Sequence, residues 1–212
     1  MNQLFKNRFL YIIFFAYFVI AIITFGKLPQ TFFQQDEWAI FGNIIFADKA
    51  GISLFDRFFV YEQYTHLVPF SNALTLVQYR LNGIDFAPYA ITSVAFHLVN
   101  AFLVFVLVFV LLKKKWLAVL AGGIFLINSI SHQAITWIAT VTGTASATAV
   151  LLLSLVSFGK YLVDRERNRK LLWISLMLFL FSLGFKETSI FAFLFYPFFW
   201  FMFSRKRSIF SA

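Results

Sequence analysis

The chain has 212 residues, of which 61% are hydrophobic, 21% aromatic and only 13% charged, with phenylalanine at 32 positions. This composition excludes an ordinary soluble domain and points to an integral membrane protein. The formal charge of +9 does not imply a nucleic-acid partner, because the basic residues gather at the ends of apolar runs, and the absence of cysteine excludes disulfides, thiol catalysis and thiolate metal sites.

Six apolar stretches follow one another: Phe9–Phe25, Ala87–Leu112, Trp116–Ile130, Val141–Val163, Leu171–Phe185 and Thr188–Phe203. Most approach the roughly 17–25 residues that cross a bilayer as helix. Backbone in lipid must satisfy its own hydrogen bonds, so an all-α, polytopic bundle of about six spans is predicted. Trp116–Ile130 and Leu171–Phe185 are short, each roughly 22 Å of helix against about 30 Å of hydrocarbon. Their outer ends, near His132 and Lys186, are expected to lie in a recess below the surface.

With the N-terminus in the cytoplasm, 13 of the 18 basic residues fall inside; Lys27, Lys49, Arg57, Arg80 and Lys186 fall outside. Seven of the nine acids face outward. The positive-inside rule therefore predicts both termini in the cytoplasm, with the first apolar run an uncleaved signal anchor. The chain reads as a single transmembrane domain, 1–212, whose segment 26–86 forms the first outer loop.

That loop carries most of the candidate chemistry. Trp38–Phe46 and Leu67–Leu81 read as helices lying along the membrane, the second started or bent by Pro69. Asp36 and Glu37 are adjacent carboxylates just outside the first span. Such a pair can supply a general base and a group that positions substrate, or can be a solvated acid pair. His66 is a candidate proton carrier or a loop histidine without a role. Arg80 is a candidate for bidentate contact with phosphate, or a side chain snorkelling to lipid head groups.

Further along, His97 and Asn100 share one helix face and are expected to hydrogen-bond within the bundle. The hairpin Asn128–Thr142 carries His132, Gln133 and Trp137, the last read as an interface anchor. Thr140, Thr142, Thr144 and Ser146, with Gly143 and Ala145, suit close helix packing. Lys186-Glu187 interrupts an otherwise apolar tract of residues 171–203. Ionised groups at such depth are expensive unless paired or facing water, so the pair is either a self-neutralising turn or part of a site.

Read in order, these segments resemble the N-terminal membrane module of the GT-C superfamily of glycosyltransferases. The nearest likeness is to its O-mannosyltransferase-like branch, with the transmembrane and tetratricopeptide-repeat proteins. The resemblance rests on Gln35-Asp36-Glu37-Trp38 after the first span and on His66-Leu67-Val68-Pro69. It continues through Leu81-Asn82-Gly83, Phe96 to Asn100, Trp137-Ile138 and Lys186-Glu187-Thr188. The chain departs from the family pattern at Ser129, Gln133 and Val141, and it stops at Ala212, where relatives continue into further helices.

The resemblance implies transfer of a sugar from a polyprenyl-phosphate donor to an acceptor at the outer face of a bacterial cytoplasmic (inner) membrane. It implies Asp36 as catalytic base with Glu37 supporting it. Lys186, Arg80, His66 and Glu187 would contact substrate. The chain would be the N-terminal part of a longer module, completed by an additional membrane subunit or further sequence. No resident cofactor is implied, the lipid-linked sugar being substrate; no metal ligands are assigned, and a divalent-ion requirement stays open. A non-catalytic partner or truncated remnant that binds donor lipid, and a small transporter, are the alternative readings.

Overall fold

The computed structural model describes residues 7–60, 67–128, 133–164 and 168–204. Every regular element among them is helical. The α-helices are α1 (Asn7–Phe25), α2 (Gln35–Lys49), α3 (Pro69–Asn82), α4 (Phe86–Leu112) and α5 (Lys115–Ile127), then α6 (Gln133–Thr136), α7 (Ile138–Thr140), α8 (Ser146–Val163), α9 (Arg169–Leu183) and α10 (Phe195–Ser204). Two π turns, Asp56–Val60 and Val141–Ala145, and two 3-10 segments, Leu28–Gln30 and Glu187–Leu194, complete the set.

Among the described residues, three helical stretches are long and apolar enough to cross a membrane: Arg8–Gln30, Phe86–Leu112 and Ile138–Val163, the last joining α7, its π turn and α8 into one rod. They mark the chain as a membrane protein. Lys115–Ile127 and Glu187–Phe203 are shorter apolar helices. The run expected at Thr188–Phe203 is not uniformly α-helical but opens with a 3-10 segment. The two helices expected in the 26–86 segment are present as α2 and α3, and Pro69 does start α3, where its missing N–H costs nothing.

Apolar surface is abundant on the outside: Tyr11, Ile23, Trp116, Phe191 and Leu194 are all well exposed. In water that exterior would be a penalty; against lipid tails it is a neutral match. Inside, α4 is the axis, since it contributes to all three apolar clusters. Phe105 and Phe109 meet α1 and α5; Phe86, Tyr89 and Ala90 meet α2 and the 135–145 segment; Leu103 and Leu107 meet α8, α9 and α10.

Polar groups on the same helix stabilise the irregular backbone around it. Ser93 donates to the Ile135 carbonyl, His97 Nε2 lies 2.9 Å from the Leu126 carbonyl, and Asn100 Nδ2 donates to the Ala145 carbonyl at 3.0 Å. A carbonyl can only accept, so His97 carries its proton on Nε2. These carbonyls lie near the end of α5, in α6 and in the π turn, where helical partners run out. The expected structural role of His97 and Asn100 is the one observed.

Close helix contacts follow the same economy of small residues. A methyl on Gly122 would come 2.5 Å from the Tyr17 hydroxyl and 2.7 Å from the Ala101 carbonyl, so only glycine lets α1, α4 and α5 meet there. Tyr17 in turn donates to the Val119 carbonyl at 2.6 Å. On the far side, the Ser154 hydroxyl joins α8 to α9 through Ser175 and to α10 through Tyr196 at 2.6 Å. Hydrogen bonds of this kind hold helices together where the hydrophobic effect gives no preference for protein over lipid.

Candidate functional site

The end of the molecule beside α2 and α3 contains a cavity of about 580 Å³. Its walls come from α2 (Asp36, Asn43), the first π turn (Arg57, Phe58), α3 (Ser71, Thr75), the second π turn (Thr142, Gly143) and the turn before the 3-10 segment (Phe185, Lys186). Both π turns of the described structure thus border it. Such turns add a residue to a helical repeat and re-aim the side chains around them.

Asp36 and Glu37 lie in the first turn of α2, where the helix dipole favours negative charge. Successive helical residues point about 100° apart, and the two carboxylates meet different surroundings. Asp36 is exposed and faces the cavity. Glu37 is only 2% exposed. Its Oε2 accepts the backbone N–H of Gln34 and its Oε1 the N–H of Ala139, both at 3.0 Å. The first bond closes a capping box with Gln34. The second ties the start of α2 to α7, 102 positions away. Glu37 is therefore a brace beneath the cavity wall, and it holds Asp36 by holding the turn that carries it.

Aromatic packing reinforces this placement. Phe33, just ahead of α2, makes edge-on contacts with Trp38, Phe41, Phe86 and Tyr89, with ring centroids 4.9–5.7 Å apart. Edge-to-face pairs at such distances each contribute about 0.5–1.5 kcal/mol beyond simple burial. They pin the α2 entry onto α4.

Lys186 reaches the same cavity from the opposite end of the sequence. It precedes the 3-10 segment, and its Cδ would lie 3.8 Å from a Cβ on Gly143. Neither the Asp36 carboxylate nor the Lys186 ammonium has a hydrogen-bond or ion-pair partner among the described residues. Both line one space without pairing with each other. Hydroxyls line the same cavity: Thr142 accepts from Ser71 at 3.2 Å and shares a 2.8 Å bond with Thr75, joining α3 to the π turn. The Phe70 N–H also donates to the Gly184 carbonyl at 2.9 Å, fixing α3 against the turn that carries Lys186.

The arginines divide differently from the sequence reading. Arg80 is not among the cavity-lining residues; its side chain is 54% exposed and pairs with Asp48 at 2.6 Å. Arg57, which the sequence reading did not single out, is 13% exposed and borders the cavity. It donates from Nε to the Ile52 carbonyl and from Nη1 to the same Asp48 oxygen. The Arg57 hydrogen bond, with Arg80 beside it, holds the Asp48 carboxyl below the usual carboxylate range. One acid thus serves two guanidinium groups, and the cluster keeps a net positive charge beside the cavity. No sequence signal distinguished Arg57 from Arg80: neither sits in a periodic pattern that would give its facing.

Glu187 is half-buried at the start of the 3-10 segment and is not a lining residue. His66 and His132 lie outside the described residues. Trp137 is half-buried in the cavity wall. Among the described residues, no group of three or more His, Asp or Glu side chains is placed to hold a metal ion.

What this arrangement offers chemically is a carboxylate and an ammonium, both without protein partners among the described residues, at a part-apolar cavity that is also lined by neutral hydroxyls. No protein-family model, curated protein or solved structure matches the chain.

Proposed function

We propose that the chain is a membrane glycosyltransferase module that moves a sugar from a polyprenyl-phosphate donor to a hydroxyl acceptor at the outer face of the membrane. The observation that carries this reading is the convergence of Asp36 and Lys186, 150 positions apart in sequence, on one cavity in which neither has a hydrogen-bond or ion-pair partner among the described residues. A site that must handle a proton and a phosphate has use for both a free carboxylate and a free ammonium.

In this mechanism Asp36 accepts the proton of the acceptor hydroxyl as its oxygen attacks the anomeric carbon. The carbon–oxygen bond to phosphate breaks with inversion, and Lys186 stabilises the charge that develops on the departing phosphate, with Arg57 adding to the field. The donor's tail stays in lipid, which suits a catalyst made of apolar helices with a part-apolar, charge-bearing cavity at one end.

The proposed topology is six spans with α2 and α3 outside and both termini in the cytoplasm. Supporting it, the described part of each apolar stretch is mostly helical. The 3-10 geometry also lengthens the last stretch: eight residues at about 2.0 Å plus ten at about 1.5 Å reach roughly 30 Å, a hydrocarbon thickness. The native chain has no cysteine, so Lys49→Cys and Lys114→Cys report position cleanly. A membrane-impermeant maleimide should label residue 49 from outside and residue 114 only after permeabilisation. Labelling of both from one side would end the six-span arrangement.

The activity is tested by sugar transfer from a polyprenyl-phosphate hexose in nanodiscs, with donor binding measured separately. Lys186→Ala should weaken donor binding by roughly 10- to 100-fold, the loss expected when a charge-assisted contact to phosphate is removed, and should lower turnover as well. Unchanged affinity for the donor would take Lys186 out of the site. Donor binding without any transfer by the wild-type chain would favour a lipid-binding partner over an enzyme.

A further inference from the structure

Resting on the donor reading above, we infer that Arg57 binds an anionic group on the acceptor. The second substrate is then a hydroxyl compound that carries a carboxylate or phosphate remote from the reacting hydroxyl. Arg57 borders the cavity, and its bonds to Ile52 and Asp48 engage only two of the five N–H groups of its guanidinium. The side chain is 13% exposed; its Nη2 has no hydrogen-bond partner among the described residues and is open to solvent. Ile52 and Asp48 hold the planar fork still, which lowers the entropy lost when an oxyanion accepts from it. One carboxylate cannot neutralise both Arg57 and Arg80, so the cluster keeps its positive charge.

Two helices measure how far this group stands from the reacting centre. Asp36 is in the first turn of α2 and Asp48 is near its end, twelve residues on, or roughly 18 Å at helical rise. On α3, the Phe70 N–H is bound to the turn that carries Lys186, whereas Arg80, ten residues on, reaches Asp48, about 15 Å along the axis. By contrast, Ala139, tied to the start of α2 through Glu37, is only four residues from Gly143, beside which Lys186 lies, or about 6 Å. Asp36 and Lys186 therefore share one end of the cavity, and Arg57 marks the other.

This separation decides which substrate the arginine serves. The donor is attacked at the carbon that bears its phosphate, so its reacting carbon and its phosphate both stay at the Asp36 and Lys186 end. The far end is left to the acceptor, whose attacking hydroxyl meets Asp36 while the rest of the molecule extends along α2. A neutral group there would gain little from a fixed guanidinium, and a cation would be repelled. A carboxylate or phosphate matches the fork with two parallel, charge-assisted hydrogen bonds.

The test uses the full chain in phosphatidylcholine nanodiscs, with farnesyl phosphate as the probe for the Lys186 end. Lactobionate, a disaccharide acid, and lactose, its uncharged counterpart, probe the other end. Wild type should bind lactobionate about 10- to 100-fold more tightly than lactose, the effect of a charge-assisted contact, and should do so with farnesyl phosphate already bound. Arg57→Gln should lose that preference, while Lys186→Ala should keep it and bind farnesyl phosphate more weakly. Asp48→Asn raises the charge of the cluster and should strengthen lactobionate binding about two- to fivefold, a gain that misfolding cannot produce. Equal affinities of wild type for the two sugars, an undiminished preference in Arg57→Gln, or displacement of lactobionate by farnesyl phosphate would overturn the assignment. So would complete loss of the preference in phosphatidylglycerol nanodiscs, which would mean that lipid head groups rather than an acceptor occupy Arg57. Failure of wild type to bind farnesyl phosphate, with the Arg57-dependent preference intact, would count against the donor reading and for the anion site.

Discussion

Asp36→Asn should reduce sugar transfer by about 10²- to 10⁴-fold while leaving donor affinity within about a factor of two of wild type, as expected for loss of a general base. The amide fills the same volume at the start of α2 and can still accept a hydrogen bond, but it cannot take the acceptor's proton. The loss should appear in kcat, because Asp36 is assigned to the acceptor side and the donor phosphate to Lys186. Folding should be untouched: the carboxylate is exposed and has no protein partner among the described residues to lose. A transfer assay paired with a thermal-unfolding measurement in the same detergent checks both halves. Full activity in Asp36→Asn would refute the assigned base.

The neighbouring residue should behave in the opposite way. Glu37→Ala strands the backbone N–H groups of Gln34 and Ala139 in a site where the side chain is 2% exposed. Each buried donor left unpaired costs about 1–3 kcal/mol, so a loss of roughly 3 kcal/mol or more is expected. Glu37→Gln should fall between, since its oxygen can accept from one amide while its NH₂ opposes the other. Thermal midpoints should therefore rank wild type above Glu37→Gln above Glu37→Ala, and donor binding should fall along with them as the cavity wall loosens. A stable Glu37→Ala protein with impaired turnover alone would mean that Glu37 acts on substrate rather than on the fold.

This contrast marks where sequence ceases to be informative. The apolar runs are legible because lipid leaves few options for backbone, and the described part of each is mostly helical. Pro69 is legible as a helix start for an equally local reason. Two adjacent acids are a different matter. Whether one turns inward depends on which amides lie opposite, and Ala139 is 102 positions from Glu37. The same holds for Arg57 and Arg80, whose separate placements depend on a shared acid, Asp48, rather than on anything in their own neighbourhoods. Trp137 has the character of an interface residue and the position of a cavity wall, because the chain leaves helix at Trp137 itself, between α6 and α7. Local preferences write the helices, whereas the site is made by pairs that only the folded chain brings together.

The polar stripe of α4 has a consequence for how the chain comes to be assembled. Ser93, His97 and Asn100 are synthesised ahead of the carbonyls they satisfy, by 42, 29 and 45 residues respectively. On leaving the ribosome, α4 therefore enters the bilayer with its donors waiting, and each later irregular segment arrives where a partner already stands. The order of synthesis is the order in which exposed backbone in lipid would otherwise become expensive. A version of this fold with α4 moved to the end of the chain would have the same contacts when finished, yet every break in α5 through α8 would first have to survive in the membrane alone.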